Sequence, residues 1–233
     1  MRRYLSAMAR PDPSSHDLTT RGGRIRAWWA FLMGDHAFLR LGFTNAHWLG
    51  PDMVRTNQPW PFQLAHWKRH GIRTVINLRG GFDSAYYAIE KRACERLGLA
   101  LIDAPMGSRE VPSRDRVLNA KRIFETMQYP ALMHCKSGAD RAGLMAVLYR
   151  HFHLGDSIRE AMTELGLRTL HVKQGKTGVL DYMFERYLAD AEPRGVSFID
   201  WVMSDAYDPA GIKADFQASW IGTMITDRFL KRE

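Results

Sequence analysis

The sequence contains little cysteine and no long apolar run. Its 233 residues include two cysteines, Cys94 and Cys135, which are too few for the disulfide framework that stabilises small secreted proteins. The longest wholly apolar run near the N-terminus, AWWAFLM, is too short to span a bilayer, and no secretory cleavage site follows it. We therefore expect a cytoplasmic protein that works in a reducing compartment.

The sequence also lacks the charge runs and motifs of nucleic-acid-binding proteins. No block of five or more Lys or Arg residues occurs, and neither a paired zinc motif nor an aromatic RNP string is present. A formal net charge of +8 nevertheless favours anionic partners. We expect a phosphorylated partner, which could be a lipid, an inositol phosphate or a protein, with peripheral contact to an anionic membrane as an option and no nucleic acid.

The composition divides the chain into three parts. Residues 1–23 include RPDPSSHDLTTRGG, a stretch rich in Pro, Ser, Thr and Gly that predicts a flexible N-terminal arm. Residues 24–190 predict one α/β domain. Residues 191–233 follow a break at Pro193 and Gly195, and their aromatic-rich sequence predicts a helical extension that packs on this domain.

The start of the central part predicts an amphipathic helix. Ile25, Trp28, Trp29 and Leu32 follow the spacing of one apolar helix face, and arginines surround its beginning. Such a face could lie on an anionic membrane surface. We favour the alternative that it packs on the main domain, because apolar faces of this spacing usually face a core.

Helical and β-branched segments alternate through the central part. The run RTVINL predicts a buried strand, and it is followed by a helix over 84–97, a strand over 99–104 and a helix over 113–128 with Ser113 as its N-cap. ALMHC then predicts another strand and RAGLMAVLYRHFH a buried helix. This alternation predicts an α/β fold whose central, mostly parallel sheet is flanked by helices on both faces.

The stretch HCKSGADRAG, residues 134–143, lies where the last of these strands ends and the buried helix begins. A loop at this position directs backbone N–H groups and the positive end of a helix dipole at one point, which predicts an anion site. Cys135 stands beside Lys136 and six residues before Arg141, in surroundings that favour thiolate over thiol. These residues indicate attack of sulfur on phosphorus, with loop amides and Arg141 holding the phosphate oxygens.

HCKSGADR resembles the HCxxGxxR signature of the cysteine-dependent protein tyrosine and dual-specificity phosphatases. The elements VRTNQP and TVINLRG also resemble the compact bacterial and atypical dual-specificity members, and the likeness covers about residues 45 to 190. It implies a phosphatase-like domain over 24–190 with Cys135 as nucleophile and Arg141 as phosphate ligand, and it requires neither a metal nor a cofactor. The substrate-binding loop that it implies consists of Lys136, Ser137, Gly138, Ala139 and Asp140.

The resemblance also implies a general acid upstream of the cysteine, and three carboxylates are candidates. Glu110 lies in GSREVPS, where family members carry the acid-bearing loop. Asp103 has the expected separation from Cys135 but is predicted at the end of a strand, and Asp115 at a helix start can simply favour the helix dipole. We favour Glu110 over Asp103, and protonation by the substrate itself is a further alternative.

One departure from the family keeps other functions open. Family members usually carry Ser or Thr after the arginine, where its hydroxyl supports the cysteine as a leaving group, and this chain has Ala142. Slow breakdown of the intermediate, or replacement of the hydroxyl by Ser137, would follow. The alternatives to a phosphatase are a non-catalytic phosphate-binding module and a sulfurtransferase of the rhodanese type, whose loop normally has one residue fewer.

Four further residues near the motif are expected to be structural. The resemblance implies that His134 is a buried imidazole bonded to the backbone. Arg55 is expected to be structural or peripheral to the pocket. Cys94 is expected in the core, and His171 in a solvated loop at the edge of the cleft.

Overall fold

The computed structural model describes residues 17–230, with side chains through residue 220. Residues 1–16, most of the predicted arm, lie outside the described residues. Five strands are described: β1 His47–Trp48, β2 Met53–Asn57, β3 Thr74–Asn77, β4 Ala100–Asp103 and β5 Ala131–Cys135. The α-helices of the described part are α1 Arg21–Trp29, α2 Pro61–Arg69, α3 Ala85–Leu97, α4 Arg114–Thr126, α5 Asp140–Tyr149, α6 Ile158–Ala161, α7 Val179–Asp190, α8 Phe198–Met203 and α9 Pro209–Leu230. No helix within residues 17–230 is long and apolar enough to span a membrane.

The five strands form one sheet in the order β1-β2-β5-β3-β4. β1 is antiparallel to β2, and every other neighbouring pair is parallel. β5 therefore lies at the centre of the sheet with a hydrogen-bonded strand on each side, and its carboxyl end is Cys135. The predicted α/β class with a mostly parallel sheet is confirmed, and the two-residue antiparallel edge strand β1 was not predicted.

Capping residues in the sequence account for the helix ends beside the sheet. The side chain of Ser84 accepts a hydrogen bond from the backbone N–H of Tyr87, and Ser113 accepts one from Arg116. α3 ends at Gly98, whose φ of 61° is in the left-handed region that glycine adopts without strain. The predicted helices over 84–97 and 113–128 are thus confirmed to within two residues at each end.

Helices cover both faces of the sheet, and β5 contributes to both interfaces. Ala131, Met133 and Cys135 belong to the larger apolar cluster, which also contains residues of α4, α5, α7, α8 and α9. Leu132 faces the opposite side, in the cluster formed with α2 and α3. Because side chains alternate across a strand, the nucleophile candidate Cys135 and its neighbour His134 point to opposite faces.

The N-terminal helix packs on the domain through part of the predicted stripe. Trp28 stacks on Trp60, with ring centroids 5.9 Å apart, and Leu32 is partly buried against the cluster that contains Trp60. Ile25 is instead 63% exposed and Trp29 67% exposed.

Smaller residues complete this contact. Gly23 and Ala27 are buried in α1, and Phe31 is buried in the turn that follows. The prediction that the stripe of large apolar residues faces the core therefore holds for Trp28 and Leu32 and is wrong for Ile25 and Trp29, which lie on the outer side of the helix.

Candidate active site

The loop that carries the motif joins the centre of the sheet to α5. Cys135 ends β5 and is 1% exposed, while α5 begins at Asp140. We call residues 135–141 the phosphate loop. It lies at the carboxyl edge of the parallel strands and at the N-terminus of a ten-residue helix. Both features favour the binding of anions there, as the sequence predicted.

Four consecutive carbonyl groups of the loop, those of residues 136–139, accept hydrogen bonds from outside the loop. The backbone N–H of Gln58 reaches the Lys136 carbonyl at 3.4 Å, and the side-chain amide of Asn45 reaches that of Ser137 at 3.0 Å. Nη2 of Arg55 reaches the carbonyls of residues 138 and 139, each at 2.8 Å. Donors from β2, the residue after it and the segment before β1 therefore hold the outer side of the loop.

This arrangement determines which way the N–H groups of the loop point. In a planar trans peptide the N–H is directed opposite to the carbonyl of the preceding residue. The N–H groups of residues 137–140 therefore point away from Arg55, Asn45 and Gln58, toward the inner side of the loop. The outcome is a set of four donors at the N-terminus of α5, which is suited to the oxygens of a phosphate.

Arg55 is the central support of the loop. Its side chain is fully buried, and Nη1 donates to the backbone carbonyl of Glu164 at 2.7 Å and lies 3.2 Å from the carboxylate oxygen Oε2 of the same residue. Burial lowers the pKa of Arg55, while the charge of Glu164 and a negative charge on Cys135 oppose this shift. The expectation that Arg55 is structural agrees with these contacts, since every one of its partners is a loop or core group.

Gly138 allows the loop to approach β2 closely. Its φ is 76°, in the left-handed region, and a Cβ at this position would lie 2.7 Å from the backbone nitrogen of Asn57. A larger residue would therefore be strained in its own backbone and would also push the loop off the strand.

Arg141 differs from Arg55 in having no internal partner. Within residues 17–220 its guanidinium makes no hydrogen bond or ion pair, and it is partly exposed in the first turn of α5. A planar fork of donors beside four inward-facing amides is suited to two oxygens of one phosphate. Cys135, the four amides and Arg141 therefore all lie within one short turn between β5 and α5.

Comparison with known families agrees with this loop. A family profile described as a DSP-PTPase phosphatase fused to NAD+ kinase matches residues 53–180, more than half of the chain. The chain belongs to this family of dual-specificity phosphatases. It is therefore a cysteine-dependent phosphatase, as the resemblance of HCKSGADR implied.

Solved structures of phosphatases share the fold. Tk-PTP in its active form is 20% identical, with a TM-score of 0.50 over 61% of this chain and 97% of that chain. TpbA of P. aeruginosa in complex with pTyr is 21% identical, with a TM-score of 0.50 over 69% of this chain and 91% of that one. No curated protein sequence matches the phosphatase.

The two candidates for the general acid have different surroundings. Both carboxylate oxygens of Asp103 accept hydrogen bonds, Oδ1 from the Asn77 amide at 3.0 Å and Oδ2 from the Tyr87 hydroxyl at 2.6 Å. The side chain of Glu110 is 57% exposed in the loop between β4 and α4, and its nearest cation is Arg116 at 3.6 Å. Glu110 thus retains more freedom to reach a leaving group than Asp103 does.

A buried carboxylate of the N-terminal segment, by which we mean residues 18–44, lies beside the phosphate loop. Asp35 is paired with Arg40 at 2.6 Å and with Arg79 at 2.6 Å, and its Oδ1 is 3.5 Å from Nζ of Lys136. Burial alone would raise the pKa of Asp35, but hydrogen bonds and charges of Arg79 and Arg40 lower it. Asp35 thereby joins the N-terminal segment to the loop lysine, which is 45% exposed.

A second carboxylate pair holds the other side of the loop through His171. This histidine is 1% exposed, with Nδ1 at 2.8 Å from Asp140 of the phosphate loop and Nε2 at 2.7 Å from Asp181 of α7. Burial alone would lower the pKa of His171, but hydrogen bonds to the two carboxylates and their charges raise it to about 9. The expectation of a solvated loop was wrong for His171, which is a buried bridge.

Two other sequence expectations have clear outcomes. Cys94 is buried in the core, and burial raises its pKa to about 12. His134 is fully buried as expected, but its partner is a carboxylate and not the backbone. Its Nε2 lies 2.8 Å from Oε1 of Glu90, at ion-pair distance without the alignment of a hydrogen bond.

Sequence reasoning missed several residues that position the loop, namely Asn45, Asp35, His171 and Asp181. Each is a single polar residue that meets its partner only in the fold. Asn45, for example, is 92 residues before Ser137, whose carbonyl it binds. Local spacing carries no signal for such pairs.

Proposed function

We propose that the phosphatase hydrolyses phosphomonoesters through a cysteinyl-phosphate intermediate on Cys135. The observation that carries this proposal is the support of the loop from outside. The carbonyls of residues 136–139 are all bonded to donors of β2 and its neighbours, which directs the N–H groups of residues 137–140 to the inner side of the loop, and Arg141 follows in the first turn of α5. Such preorganised donors stabilise the charge that develops on phosphate oxygens.

In the first step the Cys135 thiolate attacks phosphorus. The S–P bond forms while the P–O ester bond breaks, and the electron pair of that bond leaves with the ester oxygen. This oxygen takes its proton from a carboxylic acid, for which we propose Glu110 before Asp103. The amides of residues 137–140 and the guanidinium of Arg141 hold the three remaining oxygens.

In the second step water attacks phosphorus, the S–P bond breaks and the thiolate leaves. Ala142 is buried and offers no hydroxyl to the departing sulfur. Ser137 is the nearest substitute within the loop, and its Oγ accepts a hydrogen bond from the N–H of Ala139 at 3.4 Å. We propose that this step is slow compared with the first.

For the substrate we propose a phosphoinositide, a phospholipid head group or an inositol phosphate before a phosphotyrosine or phosphoserine protein. Lys136 lies in the loop and is 45% exposed, and the net charge of +8 favours polyanionic substrates. The related TpbA structure holds pTyr, so phosphopeptides belong in the same test. The reducing, cytoplasmic location and the boundaries at residues 23 and 190 remain predictions.

The decisive experiment compares wild type with Cys135→Ser on phosphoinositides, inositol phosphates, phosphopeptides and para-nitrophenyl phosphate. We expect vanadate-sensitive phosphate release by wild type and none by the variant, which still binds phosphate. Binding without turnover in wild type would instead indicate a phosphate-binding module. Sulfur transfer from thiosulfate to cyanide without phosphate release would indicate a sulfurtransferase.

A further inference from the structure

The N-terminal segment exposes large apolar side chains next to arginines. Ile25, Trp29 and Met33 are 63%, 67% and 51% exposed, and they follow one another at intervals of four residues along one side of the helical stretch. α1 is nevertheless fixed to the domain through Ala27 and Phe31. The exposed side therefore belongs to an anchored helix, and its apolar groups meet no partner within the described residues.

One hollow includes Ile25 and Trp29 of this side of the helix, and a second hollow adjoins it. A shallow hollow of about 600 Å³ is surrounded by Arg21, Arg24, Ile25, Trp28, Trp29 and Leu32. A deeper one of about 340 Å³ shares Arg24 and Trp28 and continues to α3, where Arg92 and Arg96 line it. Arginine is the only charged residue type lining the two hollows, and no carboxylate takes part. The surface thus combines tryptophan and aliphatic groups with unbalanced positive charge.

The same segment leads directly to the phosphate loop. After α1, the side chains of Phe38, Leu39, Leu41 and Phe43 are between 44% and 65% exposed. Two residues beyond Phe43, the amide of Asn45 donates to the Ser137 carbonyl of the loop. Exposed apolar side chains therefore extend along the chain from α1 almost to Asn45, which holds the phosphate loop.

We propose that the N-terminal segment is a docking surface for an anionic bilayer, and that it presents lipid phosphomonoesters to the phosphate loop. Tryptophan and aliphatic side chains enter the interfacial region of a bilayer, and arginines near its surface are attracted to anionic lipids. The part concerning substrate rests on the proposed phosphatase function, but the docking itself does not.

Charge favours a bilayer over a second copy of the chain as the occupant. In a symmetric dimer the same patch would face itself and bring Arg21 and Arg24 of the two copies together. The described acidic residue within residues 18–44 is Asp35, which is 7% exposed and already bound to arginines. Asp17, directly before the segment, is partly exposed and offsets part of the charge of Arg24 and Arg26. One carboxylate against the arginines that line the two hollows leaves an excess of positive charge, which anionic lipid head groups would neutralise and a second copy of the patch would not.

Sedimentation with vesicles tests the docking independently of catalysis. The full chain with Cys135→Ser is mixed with vesicles of phosphatidylcholine alone, or with about one third phosphatidylserine, neither of which carries a phosphomonoester. We expect binding to the anionic vesicles only. Ile25→Ser combined with Trp29→Ser should weaken it by about tenfold or more, and Arg21→Ser or Arg24→Ser by about fivefold each.

A matched pair of methionines provides the control. Met33 and Met203 are both 51% exposed, but Met203 lies on α8 outside the surface. Met33→Ser should weaken vesicle binding and Met203→Ser should not. Equal effects of the two, equal binding to both kinds of vesicle, or a dimer that the Ile25 and Trp29 changes abolish would overturn the docking proposal.

The activity assays separate this proposal from the proposed function. The Ile25 and Trp29 variant should hydrolyse soluble para-nitrophenyl phosphate at the wild-type rate and lose activity on a lipid phosphomonoester in vesicles. If wild type hydrolyses no phosphomonoester at all, the proposed function fails while docking can still be measured. If hydrolysis in vesicles is unaffected by the two changes, the presentation of lipid substrates is contradicted.

Discussion

The phosphate loop and the N-terminal segment differ in how completely the protein satisfies their chemistry. The loop has a partner for each carbonyl of residues 136–139, a fully buried arginine behind it and a second carboxylate bridge at its side. The N-terminal segment buries Phe31 and the Asp35–Arg40 pair, but it leaves Ile25 and Trp29 exposed. Other residues of the protein therefore hold the phosphate loop in place, whereas the exposed side of α1 has no partner among the described residues.

The largest expected effect comes from removing the central support of the loop. Arg55→Met should lower the free energy of unfolding by about 3–5 kcal/mol, because Glu164 and the loop carbonyls lose a buried charged partner. Activity on para-nitrophenyl phosphate should be lost with it. The control is Arg116→Met, whose pair with Glu110 is about half exposed and should cost about 1 kcal/mol or less. A stable, active Arg55 variant would show that the loop is not held from outside.

The next effect concerns proton donation to the leaving group. Glu110→Gln should lower kcat by about 10² or more on an alkyl phosphate, since a general acid contributes about 10² to 10⁴. It should have a smaller effect on para-nitrophenyl phosphate, whose leaving group needs little protonation. Asp103→Asn serves as the parallel variant, and a larger leaving-group-dependent loss there would transfer the role to Asp103.

A smaller effect should follow from adding one methyl group to the loop. Gly138→Ala should reduce stability by about 1–3 kcal/mol through backbone strain and contact with Asn57, and it should also weaken phosphate binding. Gly71→Ala is the control, because its φ of 91° is also left-handed but no atom lies within 4 Å of the new Cβ. Phosphate affinity that is unchanged by Gly138→Ala would contradict the close fit of loop and strand.

Some of these features can be predicted from the sequence, and others cannot. The strand–loop–helix unit around Cys135 follows from a local pattern, since the short apolar run ALMHC, a glycine-containing turn and an apolar helix are adjacent in the chain. The packing of α1 was predicted correctly for Trp28 and Leu32 and wrongly for Ile25 and Trp29, because periodicity identifies the large apolar stripe but not how much of it a neighbour covers.

The role of Asn45 could not be predicted, since its partners Ser137 and Thr169 are 92 and 124 residues away. His171 and Asp181 are only ten residues apart, but they join the end of a loop to α7 with no helical or strand spacing that would predict the contact.

The smallest expected effect is a pH dependence of phosphate affinity and of stability that is caused by the titration of His171. The pKa of His171 is raised from 6.5 to about 9, so its stabilising contribution is complete below pH 6.5 and is lost as the pH rises through about 9. The facing groups are Asp140 on α5 and Asp181 on α7, and Lys173 with its partner Glu185 lies near Asp181. Loss of the positive charge leaves the Asp140 carboxylate uncompensated beside the phosphate site.

The measurement compares wild type with His171→Gln between pH 6 and 10, using inhibition by inorganic phosphate and thermal unfolding. Phosphate affinity of wild type should fall by roughly two- to fivefold across the upper part of this range, whereas the variant should lack that step. The stability difference between the two proteins should shrink over the same interval. Parallel pH profiles of the two proteins would indicate that His171 only fills space.

The most direct test of the account is trapping of the intermediate. Wild type is mixed with para-nitrophenyl phosphate, quenched in acid within the first turnover and digested, and the peptides containing Cys135 and Cys94 are analysed by mass spectrometry. We expect one phosphoryl group on the Cys135 peptide and none on the Cys94 peptide. The phosphorylated Cys135 should accumulate, because Ala142 makes hydrolysis of the intermediate slow. Phosphate release with no adduct on Cys135, or an adduct on any other residue, would contradict the account.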